Sequence, residues 1–297
     1  MPTSLPYPVR NPKFERGALR ARGRSLAWGA RTYVAGIVNV TPDSFSGDGV
    51  DDPDGAVAHA LGQLAAGADI LDIGGESTRP GHVPVDGATE LRRILPVIAG
   101  VRERCPEALI SVDTYKAEVA AAALEAGADI LNSVWGWTRG MLEVAASHGA
   151  PAILMHNKRV AVYEGDVVDE VVEWLERQAH EAVDAGVPAE SIMLDPGIGF
   201  GKTQEHNIAL LRGLPRVVAL GFPTLLGTSR KSTIGFLTGK PAGPQRAWGT
   251  AATVALAVAA GIDVVRVHDV AEMVDVVRVS DAIEHGWRPE DWRDRLR

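Results

Sequence analysis

"LAAGADILDIGG", residues 64–75, packs a helix end, a turn and a buried strand into one short stretch. An alanine-rich helical run stops at Gly67, where glycine tolerates the positive φ that ends a helix. Asp69 follows two residues on, then the apolar pair Ile70-Leu71, then Asp72, the fifth residue after the glycine. The same grammar returns in "LEAGADILNSV" (124–134) and "VAAGIDVVRVH" (258–268), with Asn132 and Arg266 in the fifth place. Looser copies stand at "ASHGAPAILMH" (146–156), "AGVPAESIMLDPG" (185–197) and "LGFPTLLGTSRK" (220–231). These apolar runs are short and unbroken, so each reads as a strand covered on both faces.

With "YVAGIVN" (33–39) and "LISVD" (109–113) the chain holds eight such strands. Helical patterns fall between and after them, at 54–66, 86–104, 116–126, 139–148, 167–185, 204–212, 232–260 (interrupted near Pro241) and 270–284. Strand and helix alternating eight times predicts an α/β fold, the (β/α)8 TIM barrel. A doubly wound open sheet is the alternative. It suits the sequence less well, because no Gly-x-Gly-x-x-Gly turn follows the first strand. The expected division is an N-terminal arm and hairpin over 1–32, the hairpin drawn from "SLAWGARTYV" (25–34), a barrel over 33–285, and a tail over 286–297.

Composition narrows the function. A net charge of −8 argues against nucleic acid as a partner, and no apolar run has membrane-spanning length. The single cysteine, Cys105, excludes a disulfide framework and suits a reducing, cytoplasmic compartment. Residues 1–32 carry seven Lys/Arg against one acid, Glu15, without the apolar core of a signal peptide.

In a barrel of this kind the site lies at the carboxyl ends of the strands. The residues expected there are Asn39, Asp72 with Glu76, Asp113, Asn132, His156, Asp195, Arg230 with Lys231, and Arg266 with His268. Carboxylates and amides gather on the earlier strands and cations on the last two, where barrels often bind phosphate. Such a ring expects a ligand with hydrogen-bond donors at one end and an anion at the other.

"NVTPDSFS", "DIGGESTRPG", "SVDTYKAEVA", "DPGIGFGK", "GTSRKS" and "VRVHDV" together make the chain resemble dihydropteroate synthase of folate biosynthesis, from about residue 34 to 285. The resemblance implies that p-aminobenzoate attacks the methylene of (7,8-dihydropterin-6-yl)methyl diphosphate, releasing diphosphate and forming 7,8-dihydropteroate. It also implies a homodimer and a target for sulfonamides. Asp195 would accept two donors of the pterin edge, with Asn132, Asp113 and Lys231 completing a deep pocket and Met155 and Phe200 as walls. Gly197 and Gly199 are expected to let the backbone approach the flat ring. Arg266 and His268, two apart on one strand, would share a face and meet the diphosphate, helped by Arg79. Asn39 would offer an oxygen to Mg²⁺, the expected cofactor, whose other ligands come from diphosphate and water. The p-aminobenzoate subsite is implied near Thr78, Pro80, Lys231 and Ser232.

An arylamine needs no general base, so a dissociative, SN1-like loss of diphosphate fits this ring. The cation so formed must be shielded from water. "TPDSFSGDG" (41–49) reads as one lid and "GGESTRPGHVPVDG" (74–87) as a second, with Asp43 and Asp48 as loop acids needed for turnover. Where the family usually reads "DSFSDGG", this chain has Ser46-Gly47-Asp48-Gly49, which moves the second acid by one. A methyltetrahydrofolate-using methyltransferase barrel and a non-catalytic pterin-binding paralogue remain as alternatives.

Overall fold

The computed structural model describes residues 17–41, 52–77, 83–289 and 291–295. The chain opens with a two-stranded antiparallel hairpin, β1 (Ala18–Ala21) and β2 (Arg24–Ala27). Eight parallel strands follow: β3 (Tyr33–Asn39), β4 (Ile70–Gly74), β5 (Leu109–Asp113), β6 (Ile130–Ser133), β7 (Ala152–Met155), β8 (Ile192–Asp195), β9 (Leu225–Leu226) and β10 (Val264–Val267). β3 pairs with both β4 and β10, and β9 lies beyond β10. A single parallel bridge from Leu194 to Thr224 brings β8 against the β9 segment and closes the ring. The helices are α1 (Pro53–Ala65), α2 (Gly87–Arg104), α3 (Ala117–Glu125), α4 (Arg139–His148), α5 (Val167–Asp184), α6 (Gln204–Arg212), α7 (Leu214–Val218), α8 (Ser232–Thr238), α9 (Ala247–Ala260), α10 (Val270–Glu284) and α11 (Trp292–Arg295). The barrel expected from alternation is present, and the open-sheet alternative is set aside.

The repeated grammar has a physical meaning. Gly67, Gly127 and Gly261 have φ of 104°, 111° and 90° and turn the chain from helix into strand. The aspartate two residues later then grips the neighbouring strand. Asp69, Asp129 and Asp263 accept from the backbone N–H of Val34, Ile110 and Thr224 at 2.9–3.0 Å. Each also donates its own N–H to the carbonyl of that residue. The amino-terminal rim of the barrel is thus stitched by side chains where the ladder has run out of backbone partners.

Along each strand, side chains alternate between barrel interior and helix layer. Tyr33, Ile70, Leu109, Ile130, Ile153, Met193, Leu225 and Val264 form one buried cluster with Leu19, Leu26 and Trp28 of the hairpin region. The hairpin therefore plugs the lower mouth of the barrel. Two residues further along the same interior faces come Asp72, Ser111, Asn132, Met155, Asp195, Gly227 and Arg266. The odd-facing residues, such as Leu71, Ile73, Ile110, Val112, Leu154 and Val265, pack under the helices. Period two, read inward, runs from apolar floor to polar cup.

Three details differ from the sequence reading. The hairpin turns at Arg22-Gly23 rather than within "SLAWGARTYV", because φ of 53° and 72° there make the tight reversal. The pattern at 232–260 divides into α8 and α9, separated by Gly239 at φ 69° and a 3-10 turn over Pro244–Arg246. The spacing predicts neither α7 nor α11, since runs of five and four residues are too few to show a period. Among the described residues no helix is long and apolar enough to cross a membrane.

If the hairpin plugs the barrel, Leu26→Ala should destabilise the fold by about 2–5 kcal/mol in denaturant unfolding. A loss below about 0.5 kcal/mol would show the hairpin to be a surface ornament.

Candidate active site

The polar cup is organised by Asp72 at the middle of β4. It accepts from Ser111 Oγ at 2.6 Å, from Arg266 Nε at 2.5 Å and from Asn132 Nδ2 at 3.3 Å. Arg266 also reaches Asp113 Oδ2 with Nη2 at 3.4 Å. Asp72 and Asp113 raise the affinity of Arg266 for its proton, overcoming the burial that alone would lower it. Burial first, then Asp72, pushes Asp113 up to about 7, against the pull of Arg266. With Nδ2 committed to Asp72, Asn132 presents its carbonyl oxygen to the cup. Asn132 Oδ1 and Asp113 Oδ1 are buried and find no hydrogen-bond partner among the described residues. Two buried acceptors left without donors are costly unless a ligand supplies them.

Asp195 ends β8 beside Met155, its register partner on β7. Its Oδ1 accepts from Gly197 N at 2.7 Å, while a Cβ on Gly227 would lie 4.0 Å from both its Oδ2 and Arg266 Cδ. The glycine at 227 thus leaves one space shared by the acid of β8 and the cation of β10. Burial raises the Asp195 pKa, opposed by Lys231, the Gly197 N–H, Lys202 and Arg266. Lys231 is brought down to about 8, chiefly by burial. Its ammonium donates to the Ile198 carbonyl and stands 4.3 Å from the centre of the Phe200 ring.

The loop Gly197–Lys202 is held at nearly every residue. Gly199 N donates to Asn207 Oδ1 at 2.7 Å, and Tyr163 donates its hydroxyl to the Gly201 carbonyl at 3.0 Å. The glycines were expected to admit a ring; the structure gives another reason. A Cβ on Gly197 would sit 1.9 Å from the His156 carbonyl, and one on Gly201 would sit 2.1 Å from that of Lys158. Both have positive φ and admit the protein's own backbone.

Of the expected residues, Asp113, Asn132, Asp195, Lys231 and Arg266 meet in one cup, with Met155 and Phe200 at its wall. Asn39 lies half-buried at the end of β3, in register with Gly74. Ser232 is exposed at the start of α8. His268 is anchored by Ser229, whose Oγ lies 2.9 Å from Nδ1 and accepts the His268 N–H at 3.1 Å. A Ser229 hydroxyl donating to Nδ1 leaves the proton on Nε2, which then acts as a donor. Asp43, Asp48, Thr78, Arg79 and Pro80, and with them the lid reading of 41–49, lie outside the described residues.

Three members of the expected ring are engaged elsewhere. Arg230, at φ 56°, forms a bidentate pair with Asp269 at 2.5 and 3.0 Å. His156 faces Lys202 rather than the cup. Glu76 accepts from Lys116, Tyr115 and the Val85 N–H, holding the chain after β4 in place. The sequence reading missed Ser111, Ser229, Asn207 and Lys202. Lys202 was in view as the last letter of "DPGIGFGK".

Comparison with known proteins identifies the family. The family described as "Pterin binding enzyme" matches residues 35–268. A dihydropteroate synthase of Synechocystis is 47% identical over 271 residues, covering 88% of this chain and 92% of that protein. Among solved structures, dihydropteroate synthase of Xanthomonas albilineans with 4-aminobenzoic acid is 42% identical, with a TM-score of 0.84, over 92% of this chain and 99% of that one. The same enzyme in complex with 7,8-dihydropteroate gives 42% identity and a TM-score of 0.82, over 92% of this chain and 100% of that one.

The cup predicts a pH signature. Asp113 holds its proton more tightly folded than unfolded, so it favours folding below the ordinary carboxylate pKa of about 4. That contribution drains away as the pH rises through about 7. In the ligand-free protein, Asp113→Asn should therefore gain thermal stability relative to wild type between about pH 5 and pH 8. An equal Tm difference at both ends would show that Asp113 carries no such proton.

Proposed function

The chain belongs to the pterin-binding enzymes, in the family of dihydropteroate synthases, and we propose that it joins (7,8-dihydropterin-6-yl)methyl diphosphate to p-aminobenzoate. The two orphaned acceptors carry this reading. A pterin edge presents a row of N–H donors, and Asp113 Oδ1 and Asn132 Oδ1 are buried oxygens in want of donors. Asp195 offers a carboxylate to two adjacent donors, and Lys231 donates to a ring acceptor or carbonyl. A methyltransferase barrel is not favoured, since the named relatives are dihydropteroate synthases.

His268, anchored by Ser229, is the donor we assign to diphosphate, through Nε2. Arg266 serves two ends, because its charge also balances Asp72 and Asp113. The carbon–oxygen bond to diphosphate breaks first, the electron pair leaving with diphosphate; the amine nitrogen then bonds to the methylene carbon and loses a proton. We favour a dissociative course, with carboxylates beside the ring favouring positive charge on the methylene.

Among the described residues no cluster of three His, Cys, Asp or Glu side chains could hold a metal unaided. Asn39 alone fits a Mg²⁺ bound mainly through diphosphate oxygens, which would supply charge neutralisation at the leaving group. Asp43, Asp48, Thr78, Arg79, Pro80 and Ser232 keep their proposed places in turnover and in the p-aminobenzoate subsite. The division into arm, barrel and tail, and a cytoplasmic setting, belong to the same proposal.

We further propose a homodimer. Trp248 and Leu256 on α9, Val279 and Ile283 on α10, and Phe236 and Leu237 on α8 are all exposed, Trp248 to 86%. α9 packs beside both α8 and α10, so these exposed apolar residues stand on three neighbouring helices, and we read them as the interface. Trp248→Glu should shift the mass in sedimentation from dimer to monomer. A wild-type monomer at micromolar concentration would refute the assignment.

Incubation with dihydropterin diphosphate, p-aminobenzoate and Mg²⁺ should yield dihydropteroate; no product would overturn the reading. Asp195→Asn should weaken 6-hydroxymethylpterin in calorimetry by at least about tenfold. His268→Ala should leave that ligand alone and weaken only the diphosphate substrate.

A further inference from the structure

Lys202 ends the glycine loop, and no step proposed above uses it. Its ammonium donates to His156 Nδ1 at 2.8 Å, to the Phe200 carbonyl at 3.0 Å and to the His156 carbonyl at 3.3 Å. All three of its N–H groups are thereby directed at the loop and at the end of β7. His156 is itself wedged, with its ring edge-on to Trp174 at 5.1 Å and tilted against Tyr163 at 6.2 Å. Burial, then Lys202 and Lys158, holds His156 at about 3, so its ring is neutral and Nδ1 accepts. A Cβ on Gly197 would meet the His156 carbonyl at 1.9 Å and lie 3.4 Å from Lys202 Nζ. The N–H of that same glycine bonds Asp195 Oδ1. A continuous path therefore runs from Lys202 through His156 and Gly197 to the acid that ends β8.

We propose that Lys202 is a positioning residue for pterin capture: clamped by His156 and the Phe200 carbonyl, it fixes the glycine loop and sets a positive charge beside Asp195. The proposal rests on the pterin-binding reading of the cup.

The electrostatics run the same way. Asp195 is the carboxylate that attracts Lys202, while Lys231 and Lys158 repel it. Lys202 in turn lowers the proton affinity of Asp195, alongside Lys231 and Arg266. The other groups around the clamp are Tyr163 after β7, Glu170 on α5, which pairs with Lys158 at 3.0 Å, and His206 on α6, stacked edge-on to Tyr163 at 4.8 Å. Burial brings Lys202 down to about 7, so it is charged on the acid side of neutrality. Burial raises the proton affinity of Asp195, so a nearby positive charge on the acid side helps that carboxylate stay ionised. A protonated Asp195 cannot accept two donors from one ligand edge.

Calorimetric titration with 6-hydroxymethylpterin across pH tests the inference. Lys202→Gln removes the charge, so Asp195 takes up its proton at higher pH. The variant should bind more weakly than wild type near pH 6, by up to about tenfold for a one-unit rise, and approach it near pH 9. Lys202→Arg keeps the charge and should stay within about twofold of wild type near pH 6. In the ligand-free protein, the Asp195 carboxyl signal in ¹³C NMR, identified by its loss in Asp195→Asn, should titrate at higher pH in Lys202→Gln. Equal weakening at both pH values, or none near pH 6, would overturn the proposal while leaving the pterin reading intact. A wild-type protein that binds no pterin at any pH would overturn both.

Discussion

Arg266 lies between two buried carboxylates, and the polar half of the barrel is arranged around that fact. Asp72 and Asp113 stand on neighbouring strands, where their mutual repulsion in a poorly solvated interior would drive one of them to keep its proton. Arg266 bonds the first at 2.5 Å and reaches the second at 3.4 Å, so the relief is unequal. Asp72 is fully engaged, and Asp113 keeps an oxygen to spare. Ser111 and Asn132 take their orientation from Asp72, and Asn132 is thereby turned to show its carbonyl to the cup. One ion pair thus determines which atoms face a ligand. Breaking it would strand charge in the interior, which costs far more than the pair itself gains.

Much of the fold was legible because its signals are local. A glycine, an aspartate two residues on and an apolar run mark three of the passages from helix to strand, and positive φ at the glycine is the cause. The polar residue five places after the glycine falls on the barrel interior because strand side chains alternate. The spacing alone therefore places Asp72, Asn132 and Arg266 in one layer.

What could not be read was direction and pairing across the ring. Arg230 and Lys231 are adjacent in sequence, yet the left-handed backbone at Arg230 turns its guanidinium to Asp269 while Lys231 faces Asp195 and Phe200. His156 directly follows its strand, but its ring is drawn to Lys202, forty-six residues away. Ser229 supports His268 across thirty-nine. Such partners are fixed by the stagger of strands around the barrel and leave no trace in spacing. The glycines of "DPGIGFG" illustrate a subtler limit. Their presence announced a close approach, but only the packing tells that the approaching atoms are carbonyls of the preceding strand's end.

The apolar floor has a kinetic corollary. Filled by Tyr33, Ile70, Leu109, Ile153 and Met193 and backed by the hairpin, it makes the cup a blind well. A blind well is loaded and emptied through one opening, so the ligand seated deepest is first in and last out. An enzyme built this way acquires an ordered sequence of substrate addition from its plumbing alone, with no communication between subsites. The same floor means that a molecule lodged near the rim detains whatever lies beneath it.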